Sequence, residues 1–110
     1  MEVNYDDPRL IALMSDERVL RKAYGDLVVK RLANRMTSIR NTVSLADLHK
    51  QPGRTHALKG NRAGQFSMDL PGGLRLVLRP TPPVPTYGDG GINLSAVTAV
   101  TIIEISNHYA

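Results

Sequence analysis

Between Arg54 and Arg79 the chain holds one imidazole, His56, and five permanent cations, Arg54, Lys59, Arg62, Arg75 and Arg79, against a single acid, Asp69. Imidazole titrates near neutrality and can accept or release a proton. Guanidinium and ammonium groups bind phosphate, arginine through a planar fork. A cluster so poor in counter-ions suits a polyanion.

The elements that must position these residues are a β-hairpin and the segment leading into it. Pro71-Gly72-Gly73 supplies a preset φ followed by two residues free to take positive φ. Before the turn, Phe66, Met68 and Leu70 alternate with Gln65, Ser67 and Asp69; after it, Leu74, Leu76 and Leu78 alternate with Arg75, Val77 and Arg79. One face is therefore expected in the core and the other to display Arg75 and Arg79. His56, Lys59 and Arg62 lie just upstream, in a segment punctuated by glycine.

A length of 110 residues suits one domain with a modest core. The absence of cysteine excludes a disulfide framework, a thiolate metal site and a thiol nucleophile. No apolar run approaches the ~18 residues of a membrane span, and the first residues, MEVNYDDP, are acidic rather than a basic leader. A cytoplasmic protein without a membrane partner is the expectation. The net charge of +4 is unevenly spread: residues 27 to 68 carry eight bases and only Asp47 as acid, six of the ten acids fall in the first 26 residues, and no Lys or Arg follows Arg79. Nucleic acid is the natural partner of such a basic middle. Solvated Lys and Arg also serve solubility alone, so charge by itself leaves both readings open.

In chain order, Glu2 to Tyr5 alternates weakly, as a short edge strand does. Pro8 suits a first helical turn, with an apolar stripe of Leu10, Ile11, Leu13 and Met14 ending near Ser15, which is expected to cap a helix from Asp16 to Tyr24. Gly25 breaks that helix and Asp26 is expected to cap a longer one, in which Val28, Leu32, Met36, Ile39 and Val43 form the buried stripe, with Lys30, Arg31, Arg35 and Arg40 largely off it. Ser44 to Asp47 fits a capping box for a brief helix that stops at Pro52-Gly53 and leaves His49 structural or exposed. After Arg79, four prolines and three glycines within Pro80 to Gly91 imply a long surface loop. The run Ala96 to Ser106 is apolar and β-branched on both parities, the pattern of a central strand covered on both faces. Together these elements predict an α+β domain: a small antiparallel sheet with the N-terminal helices on one face. The other face, expected to be open, would carry Arg75, Arg79 and the end of the last strand, Asn107, His108 and Tyr109.

The run His56-Ala57-Leu58-Lys59-Gly60-Asn61-Arg62, with Gly64-Gln65-Phe66-Ser67, Gly73-Leu74-Arg75-Leu76 and the ending Ile103-Glu104-Ile105-Ser106-Asn107-His108-Tyr109, resembles the HigB-type toxins of the RelE/ParE superfamily. Their pattern is roughly H-x-L-K-G-[DN]-R-x-G-x-[WF]-S, a second strand with W/L-R, and I-x-E-I-x-D-Y-H. The resemblance spans nearly the whole chain as one domain, residues 1–110. It implies a RelE-like, microbial RNase-like fold, a ribosome-dependent mRNA endonuclease without cofactor, and a neutralising helix-turn-helix antitoxin in a toxin–antitoxin hetero-oligomer. The tail departs from the pattern, reading Asn107-His108-Tyr109 where the family has D-Y-H.

Cleaving RNA through its own 2′-OH requires a base, positive charge for the phosphorane and an acid for the leaving 5′-oxygen. On the resemblance, His56, Lys59, Arg75, His108 and Tyr109 are the expected catalytic residues: the histidines move protons, Lys59 and Arg75 hold the phosphate, and Tyr109 stacks on a base or donates a proton. Arg54, Arg62, Arg79 and Asn107 are the expected RNA contacts. The sequence shows no acidic cluster with divalent-metal spacing. A non-catalytic module on the same fold, as in the ParE branch acting on DNA gyrase, is the alternative.

Overall fold

Helical and strand segments emerge where local chemistry provides starts and stops. In the computed structural model, which describes residues 1–107, the order is β1 (Glu2–Tyr5), α1 (Pro8–Met14), α2 (Glu17–Tyr24), α3 (Asp26–Asn41), α4 (Leu45–Leu48), β2 (His56–Ala57), β3 (Phe66–Asp69), β4 (Leu74–Pro80) and β5 (Ala99–Asn107). His108 and Tyr109, two of the expected catalytic residues, lie outside the described residues.

The caps differ from expectation by one position. Asp16, not Ser15, caps α2, its carboxylate accepting from the amides of Arg18 and Val19, while Ser15 closes α1 with its hydroxyl on the Ile11 carbonyl. A carboxylate beside the positive helix terminus outcompetes a hydroxyl there. Gly25, at φ 90°, ends α2 and leads directly into α3, so Asp26 is a first-turn residue that pairs with Arg21 instead of a cap. The capping contact from Ser44 Oγ to the Asp47 amide forms as expected. Helix α3 stops at Asn41, which leaves Val43 outside the helix and 74% exposed rather than in the stripe.

The five strands lie in the order β1-β5-β4-β3-β2. All neighbours are antiparallel except β1 and β5, which run parallel with Glu2 opposite Ala99 and Tyr5 opposite Ile102. The sheet is thus mixed: β1 joins across the helical crossover, and no local turn signal records that pairing. Helices α1–α4 bury Leu20, Leu32, Met36, Ile39, Leu45 and Leu48 against Phe66, Met68, Leu76, Leu78, Val100 and Ile102 of the sheet. His49 belongs to this packing, its ring edge-on to Phe66 at 5.7 Å and its Nδ1 2.8 Å from the Leu45 carbonyl.

In β5 the register slips between Val77 and Leu78: Leu78 faces Ile102 and Val77 faces Glu104, leaving Ile103 as an extra residue. This bulge brings Ile102 and Ile105 to the core side and turns Glu104 and Ser106 to the opposite face. The phase change is one source of the apolar character on both parities. Nor is that opposite face bare, as expected from the hairpin alone, since Ser67 and Val77 are fully buried and Thr101 is 6% exposed.

Candidate functional site

His56 is placed by an approach that only certain residues can take. Gly53 has φ 119°, and an ideal Cβ there would stand 2.7 Å from Arg35 Nε. Arg35, on α3, crosses this glycine to donate to the Asp69 carbonyl at 3.0 Å, and the Asp69 amide donates to the Gly53 carbonyl at 2.8 Å. Arg54 then adopts φ 51°, a left-handed conformation uncommon outside glycine, while its guanidinium grips both oxygens of Asp69 at 2.7 and 3.2 Å. The Arg54 carbonyl lies 2.8 Å from His56 Nδ1. A carbonyl only accepts, so Nδ1 carries the hydrogen and a neutral His56 has its lone pair on Nε2. Nε2 lies 3.3 Å from Ser67 Oγ.

Strand pairing sets His56 at the edge of a row that runs His56, Ser67, Val77, Glu104 across β2, β3, β4 and β5. With strands about 4.8 Å apart, the row's ends are about 14 Å apart at the backbone. The next row is Asp69, Arg75, Ser106. From the turn between β2 and β3, Arg62 bridges over β3 and β4 to the Glu104 carboxylate, its other nitrogen donating to Gln65 Oε1 at 2.6 Å. Ser67 and Val77 lie buried beneath that bridge. Arg75 is half-buried, and its Nε is buried without a hydrogen-bond partner among the described residues. Lys59 is exposed and forms no ion pair among the described residues.

The structure therefore divides the expected residues. It brings His56, Arg62 and Arg75 to one face with Lys59 in the adjoining turn. Arg79 is on that face too, but beyond the bulge and about 13 Å along β4 from Arg75, where it pairs with Asp6 at 2.9 Å. Asn107 stands opposite Leu74, on the parity of Leu76 and Ile105, so alternation sets it on the reverse side from Arg75. The reading of a cluster poor in counter-ions needs correction. Asp69 is the only acid in the segment, yet Glu104 and Asp6 arrive from β5 and the end of β1, so Arg54, Arg62 and Arg79 each have a carboxylate.

Two residues of the site had no role assigned from sequence. Ser67 is one, and an isolated serine carries no signal. Glu104 is the other, and a lone acid within the apolar run Ala99 to Ser106 is a signal, because charge rarely interrupts a buried strand without a partner.

No family model and no curated protein sequence matches this chain. Among solved structures it is similar to a YoeB/ParE toxin from Agrobacterium tumefaciens, with a TM-score of 0.60 and 16% identity over 99% of this chain and 100% of that one. At this identity the likeness establishes the fold, an α+β domain shared over the full length.

Proposed function

We propose that this chain is the toxin of a type II toxin–antitoxin pair and an endoribonuclease that cuts mRNA on the ribosome. The observation that carries the reading is one sheet face that presents an imidazole of defined tautomer, His56 on β2, together with the guanidinium of Arg75 on β4, which forms no ion pair among the described residues. The fold shared with a YoeB/ParE toxin agrees with it.

In this mechanism His56 Nε2 exchanges its contact with Ser67 for the ribose 2′-OH and takes the proton, with the Arg54 carbonyl stabilising the imidazolium through Nδ1–H. The freed 2′-oxygen attacks phosphorus, and the bond to the leaving 5′-oxygen breaks. Arg75 and Lys59 offset the charge of the phosphorane, and Arg62 holds a neighbouring phosphate. His108 or Tyr109 returns a proton to the leaving oxygen, a role that rests on the sequence resemblance. A helix-turn-helix antitoxin silences the chain by covering this face.

The second reading, a binding module on the same fold that does not cut, is favoured by the carboxylates already occupying Arg54, Arg62 and Arg79. The deciding experiment is primer extension on mRNA after induction without antitoxin, beside His56→Ala. Discrete in-frame cuts that vanish in the variant are expected. Intact mRNA with arrested growth would select the binding module and make gyrase the next target to assay.

A further inference from the structure

Of the three arginines that carry a carboxylate on the sheet face or beside it, Arg62 differs in where its side chain lies. Arg54 and Arg79 pair at the two ends of the hairpin, with Asp69 and Asp6. Arg62 instead reaches from the turn before β3 to Glu104 on β5, which shares its row with Ser67 and Val77.

We propose that Glu104 is an internal stand-in for a substrate phosphate. Its carboxylate accepts from one terminal nitrogen of Arg62 in the free protein and yields that nitrogen to a phosphate of single-stranded RNA, so Glu104 sets the affinity of the site. This rests on the endoribonuclease reading given above.

Four observations support the exchange. Carboxylate and phosphate each offer an anionic oxygen to a guanidinium nitrogen, so one can replace the other without rebuilding the donor. The pair is reachable, with side-chain exposures of 32% for Arg62 and 40% for Glu104, unlike a sealed ion pair whose rupture would strand two charges. Gln65 holds the second Arg62 nitrogen at 2.6 Å, so the guanidinium keeps its orientation when Glu104 leaves. Finally, Glu104 is the diagonal neighbour of Arg75, which forms no ion pair among the described residues. A phosphate that displaces Glu104 thus sits between Arg62 and Arg75.

The test is a double-mutant cycle in equilibrium binding. Fluorescence anisotropy with a labelled single-stranded 2′-O-methyl RNA of mixed sequence, which lacks the nucleophile, measures affinity for wild type, Glu104→Gln, Arg62→Gln and the double variant. Glu104→Gln is expected to tighten binding by on the order of tenfold at low salt, the scale of one charge-assisted contact. In the Arg62→Gln background the same change is expected to have little effect. Unchanged or weaker binding by Glu104→Gln overturns the proposal, as does equal tightening in both backgrounds, which would reveal general charge repulsion. RNA binding by none of the four proteins overturns the role of Glu104 and leaves the endoribonuclease reading to the primer-extension test, and binding without coupling likewise removes only the role of Glu104. If Glu104→Gln fails to fold, Glu104→Asp retracts the carboxylate by one methylene while keeping its charge. Tighter binding by that variant supports the exchange, and unchanged binding refutes it.

Discussion

At the scale of single residues, the proposed function turns on which cations the fold leaves without an internal partner. Arg75 forms no ion pair among the described residues and its Nε is unbonded, so truncating it removes little that stabilises the folded state. Arg75→Ala is expected to abolish growth arrest on induction while shifting folding stability by no more than about 0.5 kcal/mol, the usual range for a substitution away from a structural network. A loss of several times that amount in urea denaturation would make Arg75 a structural residue. His56 is a different case: both ring nitrogens already have partners, so its assignment rests on the exchange of Ser67 for substrate. Sequence types revealed the cations and the imidazole but not their occupancy, because the acids that claim Arg62 and Arg79 lie about 40 and 70 residues away along the chain.

At the scale of elements, the approach to β2 is the feature on which the site depends. Gly53→Ala places a Cβ against Arg35 and asks alanine to hold φ 119°. The expected cost is about 1–3 kcal/mol of stability together with loss of the Arg35 contact to Asp69 and, on the proposed function, of RNA cleavage. Gly25→Ala is the comparison, because its φ of 90° adds strain while nothing lies within 4 Å of the new Cβ. Equal costs in denaturant would mean that the Arg35 contact is irrelevant. Helix α1 supplies a pH prediction. Asp7 caps it, and hydrogen bonds from the Arg9 side chain and then the Arg9 amide hold the Asp7 carboxyl below its ordinary value. A group whose folded pKa is depressed contributes stability above its unfolded pKa and loses it as pH falls through the folded one. The difference in thermal midpoint between wild type and Asp7→Asn should therefore be constant near neutrality and shrink as pH falls below the ordinary carboxylate range. A constant difference down to strong acid would show that Asp7 acts without its charge.

At the scale of the whole molecule, the positive charge available for nucleic acid is smaller than its count. With Arg54 and Arg79 held by carboxylates, RNA binding should engage about three phosphates, at Lys59, Arg75 and an exchanged Arg62, which implies a slope of about −2 for log affinity against log salt. A slope of −5 or steeper, on the same scale, would mean that the basic residues of α3 join the footprint. No helix among the described residues is long and apolar enough to cross a membrane.

The sequence by itself determined what is local. It set the hairpin around Pro71-Gly72-Gly73, the apolar stripe of α3 as far as Ile39, the brief helix after Ser44 and the burial of Val100 to Ile102 in the last strand, because periods of 2 and 3.6 and the chemistry of caps and turns act over a few residues. It also offered His56 and Arg75 as candidates by type. Only the tertiary structure decided the parallel pairing of β1 with β5, the bulge that turns Glu104 toward the site face, and the partners of Arg62 and Arg79. The physical reason is range: each of these joins segments distant in the chain, brought together by burial of the shared core, and an ion pair between such segments leaves no periodicity in the sequence.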